Sequence, residues 1–181
     1  RGGLDSGLPA VFNSDEPHLV NLAVSFGRGS LRPDILKSPT LFPNQITRYL
    51  HEMRDHGFPL VELQTNGIPI MERRDAYTGH LKEWHHLGLT LLAISIVHFE
   101  PDRNREVYLP HKPSYIDLPA LVDLLHARGF SVRLACVLAG GCIDGEAPLR
   151  GLLQFARDHK VEQLTIRPVN RPAESRDPDA A

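Results

Sequence analysis

Cysteine and long apolar segments are both scarce in this chain. Its 181 residues include two cysteines, Cys136 and Cys142. Two thiols cannot supply the disulfide framework of a small secreted domain, so a reducing cytoplasm is the expected location. The longest apolar stretch, residues 87–97, is too short to cross a bilayer, and no signal-peptide pattern opens the sequence. We therefore expect a cytoplasmic protein without a membrane partner.

A large excess of charge of either sign is also missing. The formal net charge is -2, and basic residues do not interleave with aromatic ones as they do on nucleic-acid-binding surfaces. Hydrophobic residues make up 41% of the chain and charged residues 23%, which is typical of a folded globular protein. The expected partner is therefore a small molecule and not a nucleic acid, while the oligomeric state is left open.

Several catalytic signatures are absent as well, among them a Gly-x-Ser-x-Gly elbow, a phosphate-binding loop and a zinc-binding pair of histidines on one helix. Two residues remain as candidates for catalysis. His98 follows an apolar run and lies beside Glu100, where it could act as a general acid or base, although a solvated loop position is the favoured interpretation. Cys142 lies in a glycine-rich segment and could act as a nucleophile, whereas Cys136 lies in an apolar run and is expected in the core.

What the sequence does contain is a repeated pattern. Four times, a segment that ends in Gly or Lys precedes an apolar run of strand length. A glycine just past a helix can take the left-handed conformation that ends it. The runs barely alternate between polar and apolar residues, which is typical of strands that are covered on both faces. They span residues 58–63, 89–94, 130–134 and 161–166.

Amphipathic stretches at residues 44–56, 72–86, 117–128 and 146–158 predict the intervening helices, the third with Asp117 as its N-cap. With a first strand at residues 19–26, five strands alternate with four helices. This alternation predicts an α/β fold with a parallel sheet and right-handed crossovers. Periodicity does not separate a closed barrel, a partial barrel and an open doubly wound sheet.

One domain is expected over residues 19–172. Residues 1–18 and 173–181 are rich in Gly, Pro, Ser and Asp, and we predict that both are flexible, with no strand before Leu19. Residues 98–116 contain three prolines and predict a long polar loop.

The loops after the strands should carry function, because the carboxyl ends of parallel strands meet at one edge of the sheet. Glycines there would let backbone amides approach a ligand closely, although a simple turn is the favoured explanation for any single one of them. Four arginines would give this edge a positive charge, which favours a small molecule with a carboxylate or phosphate group. They are Arg28, Arg32, Arg167 and Arg171.

Read in chain order, these strand ends form a recognisable series. Gly27-Arg28-Gly29 follows the first strand, Thr65-Asn66-Gly67 follows the second, and Ile94-Ser95-Ile96 lies in the third. The fourth strand ends in Val137-Leu138, and the last strand covers residues 164–169. In order and spacing, the series resembles the core domain of the radical-SAM superfamily over residues 19–172.

The resemblance implies a partial (β/α)6 barrel that lacks its first strand. Members of the family bind a [4Fe–4S] cluster and S-adenosylmethionine, which they cleave reductively to a 5′-deoxyadenosyl radical. By position, the resemblance implies cofactor-binding roles for eight residues. These are Gly27 and Gly29 at the methionine moiety, Ser95 at the ribose or carboxylate, Arg133 at the carboxylate, Leu138 and Val169 at the adenine, and Thr65 and Asn66 on the floor. Arg167 is assigned to the same site from its place on the positively charged edge.

Two features depart from the family. The cluster-binding CxxxCxxC segment is absent, and Ser30-Leu31 follows Gly29 where the family has Glu-Pro. No metal ligand is therefore assigned in this chain, and we expect a trimmed or degenerate radical-SAM-type domain without its cluster. Two alternatives remain open, a non-catalytic α/β-barrel binding domain and an α/β-barrel enzyme that acts on a phosphorylated or carboxylated metabolite. Whether the chain is an enzyme is left undecided.

Overall fold

The described part of the chain alternates strands with helices. The computed structural model describes residues 10–13, 42–138 and 140–168. The strands are β1 (Ala10–Asn13), β2 (Val61–Thr65), β3 (Leu89–Ile96), β4 (Ser131–Leu138) and β5 (Gln163–Pro168). The helices are α1 (Phe42–Arg54), α2 (Ile68–Glu72), α3 (Arg74–His86), α4 (Pro101–Tyr108), α5 (Leu118–His126) and α6 (Glu146–Asp158). None of these helices combines the length and the apolar character that a membrane crossing requires.

All five strands pair in parallel, and their order in the sheet follows the chain, β1-β2-β3-β4-β5. Crossovers of one hand that advance in one direction place their helices on one face of a sheet. The core agrees with this rule, because α1, α2, α3, α5 and α6 all contribute to a single hydrophobic cluster. The arrangement differs from a doubly wound sheet, in which helices cover both faces. The predicted α/β fold with a parallel sheet is confirmed.

Side chains from alternate strand positions fill this cluster, as expected when one face of a sheet meets the helices. They are Leu63, Leu92, Ile94, Ile96, Val132, Leu134 and Cys136. On the helix side, Trp84 is fully buried in α3, and its Nε1 donates a hydrogen bond of 2.8 Å to Oγ1 of Thr47 on α1. The expected position of Cys136 in the core is confirmed.

The helix ends follow the predicted chemistry. The carboxylate of Asp117 accepts a hydrogen bond of 2.9 Å from the N–H of Ala120, which confirms this residue as the N-cap of α5. Gly129 follows α5 with a φ of 86°, a conformation that glycine adopts without strain. Lys160 takes the corresponding place after α6 with a φ of 54°. A left-handed residue here lets Val161 donate to the carbonyl of Ala156 at 2.8 Å, which closes the helix.

Two loop predictions were wrong. Residues 98–116 are not a loop throughout, because Pro101 begins helix α4 after an extended Glu100, and proline is favourable in the first turn of a helix. A strand does precede Leu19, since β1 pairs with β2 and places Ala10 opposite Val61.

Two element boundaries also needed correction. Strand β2 begins at residue 61 and not at 58, which is consistent with Pro59 having no N–H to donate within a sheet. The helix predicted over residues 72–86 is α3, and the shorter α2 precedes it. The first strand predicted at residues 19–26 lies outside the described residues.

Candidate functional site

The face of the sheet that points away from the described helices is polar. Alternation along the strands gives it eight polar side chains, which we call the polar face. They are Glu62, Gln64, Ser95, Ser131, Arg133, Gln163, Thr165 and Arg167. None of them belongs to the hydrophobic cluster. The register places Gln64, Ala93 and Arg133 side by side on β2, β3 and β4, so residues from separate strands form one surface.

An ion pair between Glu62 and Arg133 crosses the polar face. Nη2 of Arg133 on β4 donates to Oε1 of Glu62 on β2, although β3 lies between these strands. The register partner of Arg133 on β3 is Ala93, whose short side chain leaves room for the guanidinium to cross. Glu62 is 2% exposed. Burial raises the pKa of Glu62, and the positive charges of Arg133 and Arg167 oppose that rise.

Arg133 retains a donor that the ion pair does not use. Its Nε is buried and has no hydrogen-bond partner among the described residues. A buried donor without a partner costs about 1 to 3 kcal/mol, so an acceptor is expected at this point. Arg167 lies further along the same face, near the carboxyl end of β5, and is exposed. Two guanidinium groups thus face one carboxylate on the polar face.

A second polar contact joins β2 to β3. Nε2 of Gln64 donates a hydrogen bond of 3.1 Å to Oγ of Ser95. Both side chains are half-buried, as is Thr165 beyond them on β5. Ser95 therefore lies on the polar face together with Arg133 and Arg167, as three of the predicted site residues.

Thr65 and Asn66 stabilise the turn after β2. Oγ1 of Thr65 accepts a hydrogen bond from the N–H of Gly67 at 3.0 Å, and Oδ1 of Asn66 accepts one from the N–H of Ile68 at 3.0 Å. Gly67 has a φ of 74°, and a Cβ at this position would clash with Cδ2 of Leu121. The Thr-Asn-Gly motif therefore has a structural explanation at the carboxyl edge of the sheet.

Leu138 lies at the same edge but on the other face. It continues the alternation of Cys136, which points toward the helices, and it lines a cleft of about 430 Å³ with Leu149 of α6 and Ile166 of β5. The cleft is separate from the polar face. Three further predicted site residues, Gly27, Gly29 and Val169, lie outside the described residues.

His98 is buried and not solvated, contrary to the favoured interpretation of the sequence. Its exposure is 6%, and its Nδ1 accepts a hydrogen bond of 2.9 Å from the N–H of Glu100. Burial lowers the pKa of His98, against the opposing charge of Glu100. His98 is buried because of Asn104 on α4. Asn104 is fully buried and accepts a hydrogen bond of 2.9 Å from the N–H of Val97. The side chain of this asparagine folds the segment against the sheet.

The two cysteines do not form a site for an iron–sulfur cluster. Sγ of Cys136 donates to the carbonyl of Val97 at 3.8 Å on the helix side of the sheet, and burial raises the pKa of this thiol to about 11. Cys142 is half-buried in the loop after β4. Within residues 42–138 and 140–168, no three His, Cys, Asp or Glu side chains are grouped as metal ligands. The [4Fe–4S] cluster that the family resemblance implies therefore does not fit the described residues.

Sequence reasoning missed Glu62, the most deeply buried charged group of the polar face. A signal for it was present. Glu62 and Gln64 alternate with apolar residues in β2, and Arg133 and Arg167 do the same in β4 and β5. Period-two polar positions within otherwise apolar strands mark a second face of different character.

Comparison with known proteins leaves the chain without an assigned family. Its sequence matches no protein-family model, and no curated protein is significantly similar to it.

Proposed function

We propose that this chain is a radical-SAM-type α/β domain that binds S-adenosylmethionine, or a related small carboxylate, on the polar face of its sheet. The observation that carries the proposal is the difference between the two faces. Helices cover one face, whereas eight polar side chains occupy the other. In α/β barrels the helices form the outer layer and the opposite face of the sheet lines the interior. A partial barrel is therefore the finer fold that we propose.

The charges of the polar face support a ligand with an anionic group. The unused Nε–H of Arg133 and the guanidinium of Arg167 are suited to a carboxylate, to which arginine can donate two parallel hydrogen bonds. The hydroxyl of Ser95 and the amide of Gln64 can pair with ribose hydroxyl groups nearby. Leu138 has no part in this proposal, because it lies on the helix side of the sheet.

The proposal assigns binding, and not radical chemistry, to the chain as it stands. In the family, the cluster supplies the electron that cleaves S-adenosylmethionine. The described residues offer no set of cluster ligands, so we derive no cleavage step. His98 does not favour a second function, because its Nδ1 is occupied by a backbone N–H within a buried segment.

The direct test is isothermal titration calorimetry of S-adenosylmethionine into the wild-type chain and the Arg167→Ala variant. We expect the variant to lose affinity about ten- to a hundredfold, because it loses a hydrogen bond from a charged donor. Arg157→Ala is the matched control, since Arg157 is exposed on α6 on the helix side.

Equal losses in the two variants would exclude the polar face as the site. A wild-type chain that gives no heat with S-adenosylmethionine but binds a phosphate ester would replace the proposal with an enzyme of phosphorylated metabolites. If neither ligand gives a heat of binding, the proposal would be replaced by that of a binding domain for another partner.

A further inference from the structure

The charges on the polar face do not cancel. Arg133 and Arg167 contribute two positive charges, and Glu62 contributes one negative charge, so these three groups carry a net charge of +1. Glu62 is 2% exposed, so salt screens its charge far less than that of a surface carboxylate. One further negative charge from a ligand would bring the set to neutrality, and two would exceed it.

We propose that Glu62 determines which anionic group this site accepts, so that the polar face admits a single carboxylate and disfavours a doubly charged phosphate. The inference rests on the proposed function, because it concerns the same binding site. A dianion next to a buried carboxylate pays a repulsion that a low-dielectric environment strengthens. The same dianion would compete with Glu62 for the guanidinium of Arg133.

Among the described residues, Arg133 and Arg167 are the charged groups that act on Glu62. Arg133 reaches it from β4, and Arg167 acts on it from β5. Its register partners on β1 and β3 are Val11 and Leu91, neither of which is ionisable. On its own strand, the neighbour on the same face is Gln64, which pairs with Ser95. No described residue is thus placed to relieve the repulsion when a dianion enters, and Glu62 itself must take up a proton.

This requirement gives a measurement on the unmodified protein. S-adenosylhomocysteine carries one carboxylate and one ammonium group on its homocysteine part, whereas adenosine monophosphate carries a phosphate that is doubly charged at pH ~8. Calorimetry in buffers of different ionisation enthalpy reports the protons bound with each ligand. We expect S-adenosylhomocysteine to bind with no net proton uptake, and adenosine monophosphate to bind more weakly with uptake of about one proton. Equally tight binding of both ligands without proton uptake would overturn the inference.

The Glu62→Gln variant tests the residue itself. Glutamine keeps the size of the side chain and an oxygen that can accept from Arg133, but it removes the charge. We expect the preference for S-adenosylhomocysteine over adenosine monophosphate to fall about tenfold or more. Glu62→Asp, which keeps the charge, should restore the preference, and Glu106→Gln on the exposed face of α4 should leave it unchanged.

The failures of the two proposals are distinguishable. If the wild-type chain binds neither S-adenosylmethionine nor S-adenosylhomocysteine, the proposed function is wrong and the role of Glu62 falls with it. If both ligands bind but Glu62→Gln retains the wild-type preference, only the role of Glu62 is wrong. If Glu62→Gln does not fold, the proton uptake of the wild-type chain decides.

Discussion

Arg133 and Leu134 are consecutive residues of β4, and they point to opposite faces of the sheet. Leu134 is fully buried against the helices, where its contribution comes from removing apolar surface from water. Arg133 crosses the polar face to a buried glutamate, where its contribution depends on a charge and on hydrogen-bond geometry. The two faces of the same sheet are therefore stabilised by different interactions, one by apolar burial and the other by charge and hydrogen bonds. One face stabilises the fold at any ordinary pH, and the stability of the other depends on protonation.

The largest expected loss of stability comes from a substitution on the helix-covered face. Leu134→Ala should lower the free energy of unfolding by about 2 to 5 kcal/mol, because it removes buried apolar surface and leaves a cavity. Urea unfolding followed by circular dichroism measures this loss. Leu153→Ala is the control, since Leu153 is 46% exposed on α6 and should cost little. Similar losses in the two variants would show that the cluster around Leu134 is not the core.

A smaller effect is expected on the polar face. Arg133→Ala should lower the free energy of unfolding near neutral pH by about 2 to 3 kcal/mol, because it leaves Glu62 buried without its partner. The loss is below that of a fully buried pair because the Arg133 side chain is 20% exposed. Arg133 opposes the rise in the pKa of Glu62 that burial causes, so the variant raises that pKa further. Stability from a group with a raised pKa is present below its unfolded value of 4.5 and is lost as the pH rises through the folded pKa.

The sign of this prediction separates the two faces. The gap in unfolding free energy between Arg133→Ala and the wild-type chain should be smallest below pH 4.5 and should widen toward neutral pH. The gap for Leu134→Ala should change little over the same range. A pH-independent gap for Arg133→Ala would mean that Glu62 does not depend on this partner.

The smallest expected effect concerns Glu162, which lies just before the amino end of β5. Oε2 of Glu162 accepts hydrogen bonds of 2.7 Å from the N–H of Val132 and 3.3 Å from Nε2 of His126. Burial raises the pKa of Glu162, but these hydrogen bonds outweigh burial, and the pKa is lowered. A group with a lowered pKa stabilises the fold above its unfolded value of 4.5, and this contribution is lost as the pH falls through the folded pKa.

Glu162→Gln should therefore cost about 0.5 to 1 kcal/mol near neutral pH, the range of a partly exposed hydrogen bond to a charged group. Thermal unfolding at neutral pH and below pH 4.5 measures the difference, which should shrink at the acidic end. The cost of Arg133→Ala changes with pH in the same direction, because both variants cost most when the glutamate concerned is ionised. A cost that grows as the pH falls would contradict the assigned hydrogen bonds.

The strand–helix alternation could be predicted because its causes are local. Asp117 caps its helix through a residue three positions away, and Gly129 adopts the backbone conformation that helix ends favour. Such caps and helix-ending glycines act locally and do not depend on the tertiary structure around them. The predicted edges shifted where a residue such as Pro59 interrupts an apolar run without changing its hydrophobicity.

The candidate site could be predicted only in part because it depends on contacts between distant strands. Ser95, Arg133 and Arg167 were assigned to a site from their sequence positions, and they share the polar face. The alternation in β2 marks Glu62 as a residue of this face, but its pairing with Arg133, 71 residues away in the chain, became visible only in the structure. His98 is buried because Asn104 bonds the backbone beneath it, and no local pattern predicts that contact.

The ion pair between Glu62 and Arg133 joins two strands that share no backbone hydrogen bonds, because β3 and Ala93 lie between them. A fluctuation that peels β2 away from β3 must therefore also break an ionic contact anchored on β4. Amide protons in these three strands should consequently exchange with solvent through one common opening event, with β3 as its most slowly exchanging member. The small alanine in the middle strand thus allows a side-chain contact to turn three strands into one cooperative unit.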